Sequence, residues 1–86
     1  MEAIAPSQIV SSIAGHDSGK LYVVLAVEGD MLLLADGRNR RLHNPKRKKR
    51  KHLEKRSDSP LAEAISGGVV TDKMIRNTLA ACRREN

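Results

Sequence analysis

The chain has 86 residues, a formal net charge of +6 and a sequence pI of about 10.0. A chain of this length buries only a limited core, and with no Trp, no Phe and one Tyr that core must be aliphatic. Cys82 is the single cysteine, which excludes an internal disulfide framework. We therefore expect one small domain that acts as a monomer in a reducing, cytoplasmic compartment.

The first half of the chain is predicted to consist of short β-strands. Residues 8–14 are β-branched and half polar, residues 21–27 are almost wholly apolar, and residues 31–35 follow after a tight connection. A short fourth strand is predicted over residues 40–43. Because both faces of the second and third strands are apolar, we expect them to be covered on both sides, as in a small curled barrel with a helix packed outside.

Glycine marks the turns between these strands. The segment from Gly15 to Lys20 has glycine near both ends and polar residues between them, which is typical of a turn. Asp36-Gly37 is a second hairpin signal of the same kind. We therefore predict structural turn roles for Gly15, Gly19 and Gly37, because glycine accepts backbone conformations that other residues disfavour.

The last third of the chain is predicted to be helical. Ser59-Pro60 suits the start of a short helix over residues 61–65, which Gly67-Gly68 ends, and Thr71 suits the N-cap of a second helix. The second helix carries an apolar stripe at spacings of four and three, formed by Ile75, Leu79 and Cys82. Such a stripe packs on the rest of the chain or on a protein partner, and the sequence leaves both open.

Positive charge is concentrated in one segment. Between Arg38 and Arg56 there are eleven Lys or Arg and one acid, Glu54. Six consecutive cations, residues 46–51, follow Pro45. Neighbouring like charges repel one another, so we expect an anionic partner, with nucleic acid favoured over a membrane surface because few apolar residues are interleaved. Since a strand is predicted over residues 40–43 and a last short strand over residues 51–55, we expect residues 44–51 to form a loop tethered at both ends.

Residues 9–25 and 28–34 resemble the KOW motif, in which a strand, a turn with an obligatory glycine and an apolar hairpin follow one another. Gly19 stands in the position of the key glycine. Over about residues 8–80 the chain also resembles a bacterial family of short KOW proteins similar to certain large-subunit ribosomal proteins of archaea and eukaryotes. The further elements that carry this resemblance are Asp36-Gly37-Arg38, Arg41-Leu42, Pro45-Lys46-Arg47-Lys48, His52-Leu53 and Thr71-Asp72-Lys73-Met74-Ile75-Arg76.

The resemblance implies an α+β fold in which a small SH3-like β-barrel, the KOW domain, is followed by one or two short C-terminal α-helices. The barrel would occupy residues 1–56, including the basic loop 44–51, and the helical appendage residues 57–86. It also implies RNA binding, with ribosomal RNA or a ribosomal subunit as the partner.

The chemistry of the basic segment agrees with contacts to structured RNA. Lys and Arg contact phosphates rather than reading bases, and Tyr22, the sole aromatic residue, gives no platform for stacking single-stranded bases. We predict a ribosome-associated protein that contacts rRNA phosphates. The predicted RNA-binding residues are His16, Lys20, Arg38, Arg40, Arg41, Lys46, Arg47, Lys48, Lys49, Arg50, Lys51 and His52.

Other functions stay open at this point. The chain could be a protein-interaction adaptor or a KOW module of the transcription-elongation kind, and residues 45–51 also fit a nuclear localisation signal. No grouping typical of catalysis is present, and the spacing of the three histidines and Cys82 does not suit zinc. We therefore expect no enzymatic activity, metal or cofactor. We also expect no signal peptide and no membrane span, because the longest apolar run covers only residues 21–27.

Overall fold

The structure is a computed structural model that describes residues 3–85. Within that range the chain is an α+β protein, as predicted, with a five-strand antiparallel sheet and two α-helices. The strands are β1 (Ile9–Ser12), β2 (Leu21–Glu28), β3 (Met31–Ala35), β4 (Lys46–Lys49) and β5 (Leu53–Ser57), and the helices are α1 (Ala62–Ser66) and α2 (Asp72–Glu85). None of the helices in residues 3–85 is long and apolar enough to cross a membrane.

The sheet has the strand order β4-β3-β2-β1-β5. The first three strands form a meander, and β5 returns to pair with β1. The two edge strands, β4 and β5, do not pair with each other, so the sheet is not closed. The register shifts at two places, where Leu25 of β2 has no partner in β3 and where Arg56 of β5 has none in β1. Irregularities of this kind bend a strand and increase its twist, so β2 and β5 are curved.

Apolar side chains cover both faces of β2, which confirms the prediction made for this strand, whereas Ala35 is the residue of β3 that enters the cluster on the second face. On one face a buried cluster comprises Ile4, Val10, Tyr22, Val24, Leu32, Leu34 and Leu53. On the other face a second buried cluster comprises Ile9, Leu21, Val23, Ala35, Leu61, Ile75 and Leu79. Alternate residues of one strand enter different clusters because successive side chains of a strand point to opposite faces.

The helices cover the second face of the sheet. Ile75 and Leu79 of α2 are 0% and 1% exposed, so the chain's own sheet covers most of the apolar stripe. Helix α2 begins as predicted, because the Met74 N–H donates to Thr71 Oγ1 at 3.2 Å. Ahead of α1, Ser59 Oγ accepts from the Leu61 N–H at 3.3 Å. Helix α2 therefore begins where Thr71 indicates, whereas α1 begins at Ala62 after Leu61, with no side-chain cap hydrogen bond.

Two predictions about the basic half of the chain are wrong. Residues 40–43 form no strand, because the Asn44 N–H turns back to Arg41 O at 2.9 Å and the Leu42 N–H donates to Asp72 Oδ1 at 2.9 Å. Residues 44–51 are no simple loop, because residues 46–49 form β4 and pair with β3. An edge strand tolerates charged side chains on both faces, so the apolar alternation that reveals other strands is missing here.

Candidate nucleic-acid interface

The cations of β4 lie on two different faces of the sheet. Lys46 and Lys48 pair with Leu34 and Leu32, which belong to the first buried cluster. Directly opposed residues share a face, so the stems of these two lysines extend over the edge of that core. Their side chains are only 24% and 11% exposed. The inner half of the basic run is therefore partly buried, and its ammonium groups require partners within the protein.

Asp17 supplies the carboxylate for this inner group. Its Oδ2 forms an ion pair with Lys46 Nζ and lies 3.7 Å from Lys48 Nζ, and its Oδ1 lies 3.9 Å from Lys20 Nζ. Lys48 Nζ also donates to Ala14 O at 3.2 Å. The chain itself therefore neutralises part of the positive charge of the run, and the prediction of an anionic partner rests on the remaining cations.

The turn between β1 and β2 places Asp17 against β4. It is a 3₁₀ turn over Gly15–Asp17, and Gly15 and Gly19 have φ of 75° and 89°. The Ser18 N–H donates to Gly15 O at 3.2 Å, and the Gly19 N–H donates to Ser12 O at 2.8 Å. The predicted turn is thus confirmed. Through Asp17 it connects the β1–β2 hairpin to β4, the edge strand that lies two strands from β2 in the sheet.

The outer half of the run faces solvent. Arg47 forms an ion pair with Glu28, but the two side chains are 62% and 48% exposed, and an ion pair in water contributes little to stability. Lys49 and Lys51 are exposed and line a small depression together with Asp30 and Arg50. These outer cations are accessible to a large anionic partner.

A second cationic surface lies on the loop between β3 and β4. Asp36 Oδ1 accepts from the Arg38 N–H at 2.8 Å and from the Arg40 N–H at 2.9 Å, which closes the loop as an Asx turn. Gly37 has a φ of 79°, as its predicted turn role requires. Arg38 and Arg41 are exposed, and Arg41 Nε donates to Arg38 O at 3.2 Å.

Arg76 of α2 joins this surface, although it is not among the predicted RNA-binding residues. Its Nη1 donates to Gly37 O at 2.8 Å. Together with Gly37, Arg38, Asn39 and Arg41 it lines one open depression. Its place one turn after Asp72 on a predicted helix was visible in the sequence, but the docking of the loop on that helix was not.

The remaining predicted residues occupy separate positions. His16 is exposed on the 3₁₀ turn, and His52 is half-buried, with its backbone O accepting from the Ile13 N–H at 3.0 Å. Tyr22 is only 2% exposed, so its ring is not accessible for stacking on a base. Burial raises the pKa of the Tyr22 hydroxyl; the charge of Asp36 raises it further, and that of Arg40 opposes the shift.

Comparison with known proteins adds no assignment to this geometry. No protein-family model matches the chain, and no curated protein matches it significantly. The KOW resemblance therefore stays a prediction based on the motifs. In the described range 3–85, no three side chains among His, Cys, Asp and Glu come together in a way that could hold a metal ion.

Proposed function

We propose that the protein binds structured RNA, with ribosomal RNA or a ribosomal subunit as its partner, by contacting phosphate groups. The observation that carries this proposal is a set of exposed or half-exposed cations without a carboxylate partner. Within residues 3–85, no carboxylate oxygen lies within 4.0 Å of Lys49, Lys51, Arg38, Arg41 or Arg76. An external polyanion is the ordinary counterpart of such a set.

The division of the cations gives each group a different role. The lysines held by Asp17 fix the edge strand and the neighbouring turn in place. The unpaired cations then meet the ligand from a rigid surface, which lowers the ordering entropy that binding requires. Arg offers a bidentate fork and Lys a point charge, and both suit phosphate oxygens. With no accessible aromatic ring, shape and backbone contacts to a duplex are favoured over base stacking.

We infer further that this curved sheet, although its edge strands do not pair, corresponds to an SH3-like barrel of the KOW type. Four observations support this reading. The last strand returns to pair with the first, and β2 and β5 carry irregularities that bend them. Leu53 of β5 shares a buried cluster with Leu32 of β3, although two strands separate them in the sheet. The ion pairs of Asp17 connect the β1–β2 turn to β4 across the same face.

Fluorescence anisotropy with a labelled RNA duplex over a series of salt concentrations tests the binding. If the five unpaired cations each meet one phosphate, log affinity falls with log salt at a slope of about −4 to −5. The variant Lys49→Gln/Lys51→Gln is expected to lower the magnitude of the slope by about 1–2. The matched control, Lys73→Gln/Arg83→Gln, removes the same charge from exposed positions of α2. A wild-type affinity for RNA that does not depend on salt would contradict phosphate contact.

Sedimentation of the tagged protein through a sucrose gradient tests the ribosomal partner. We expect cosedimentation with ribosomal subunits at low salt and release at high salt, because phosphate contacts are screened. A protein that carries no nucleic acid and is recovered with one polypeptide would instead favour the adaptor function.

A further inference from the structure

We propose that the depression between the β3–β4 loop and helix α2 is a phosphate-binding site formed by Arg38, Arg41 and Arg76. This inference rests on the proposed RNA binding and deepens it, because it makes the C-terminal helix part of the interface. The ligand is a phosphate group, presented by an RNA backbone or as a free anion.

The fold brings three arginines from two distant segments to one depression. Arg38 and Arg41 come from the loop and Arg76 from α2, and all three line it together with Gly37 and Asn39. Two of the groups are oriented by the backbone, because Arg41 Nε donates to Arg38 O and Arg76 Nη1 donates to Gly37 O. Each guanidinium carries five N–H donors, so most donors remain available to a ligand.

The charges of this site are not balanced by the neighbouring acids. Asp36 Oδ1 accepts from two loop N–H groups, and Asp72 Oδ1 accepts from the Leu42 N–H. In the part of the chain that the structure describes, neither carboxylate comes within 4.0 Å of the three guanidinium groups. The lysines at Asp17 contrast with this arrangement, because they share one carboxylate as an internal partner. Three arginines that line one depression without such a partner favour an anion with several acceptor oxygens.

The framework of the site is closely packed. Gly37 is buried against α2, and a Cβ built on it would lie 2.4 Å from Asp72 O and 2.7 Å from Arg76 Cγ. Asp36 closes the loop, because its Oδ1 accepts hydrogen bonds from the N–H groups of Arg38 and Arg40. Close backbone packing on one side and an Asx turn on the other hold the arginines in position before a ligand arrives, as a preorganised site requires.

Salt-dependent binding of an RNA duplex measures the contribution of this site. The variant Arg38→Gln/Arg41→Gln changes only exposed side chains and is expected to lower the magnitude of the salt slope by about 1–2. Arg76→Gln is expected to lower it by about 1, and its thermal unfolding is measured alongside because Arg76 also contacts the loop. The control Lys73→Gln/Arg83→Gln is expected to leave the slope unchanged. A salt slope of the Arg38→Gln/Arg41→Gln variant that equals the salt slope of the control variant would contradict the proposed site.

Amide chemical shifts of Gly37 and Asn39 identify the source of the phosphate. Shifts with an RNA duplex and not with inorganic phosphate indicate backbone recognition, and shifts with inorganic phosphate indicate a site for a free anion; both support the phosphate site. If RNA shifts other amides but neither ligand shifts these two, the site is wrong and the RNA-binding function stands. If RNA shifts no amide and does not bind by anisotropy, the function is wrong, and the phosphate titration alone decides the site.

Discussion

Replacing Gly37 by Ala should destabilise the protein strongly, because two independent penalties act at this position. Gly37 has a φ of 79°, and the left-handed region costs a residue with a Cβ about 1–2 kcal/mol. The new Cβ would lie 2.4 Å from Asp72 O, so the loop or the helix must move, at about 1–3 kcal/mol. The sum is about 2–5 kcal/mol, a large part of the roughly 4–13 kcal/mol expected for a domain of this size.

Thermal unfolding followed by circular dichroism measures this loss. At about 4–8 °C per kcal/mol, Gly37→Ala should lower Tm by about 8–40 °C. Gly29→Ala is the matched control: its φ is 65°, but a Cβ there meets nothing within 4 Å. It should therefore show only the backbone penalty of about 1–2 kcal/mol. Equal losses in the two variants would refute the close packing of the β3–β4 loop on α2.

Two further perturbations test the charge network and the buried tyrosine. Asp17→Asn should lower the free energy of unfolding by about 1–3 kcal/mol, since it removes the carboxylate partner of the partly buried Lys46 and Lys48. Glu28→Gln should lower it by less than about 1 kcal/mol, because the ion pair between Glu28 and Arg47 is exposed. Urea unfolding compares them, and similar losses would contradict the ranking. Burial raises the pKa of Tyr22 above its usual value of 10.0. As pH rises, the unfolded chain therefore releases this proton before the folded chain does. The stability that Tyr22 contributes below the unfolded-state pKa should be lost as pH rises through the folded-state pKa. Tyr22→Phe should remove this part of the decline, as urea unfolding over a pH series would show; an unchanged decline would contradict it.

The basic run illustrates how tertiary contacts change the meaning of a charge pattern. Six cations without an acid among them indicate a solvated loop that binds an anion. In the structure the same residues form an edge strand, and charged side chains on an edge oppose pairing with another chain. Part of the run therefore has a structural role. The RNA-binding proposal depends on the exposed Lys49 and Lys51 and on the depression that Arg38, Arg41 and Arg76 line.

Local patterns alone determined much of this protein. The apolar strands, the glycine turns and the capped helices were predictable, because strand periodicity, turn chemistry and N-caps act over a few neighbouring residues. Only the tertiary structure decided which charges are compensated. Asp17 is 29 residues from Lys46, and Gly37 is 39 residues from Arg76. Contacts at such separations depend on how the sheet curves and where the helix docks, and no short sequence pattern encodes them.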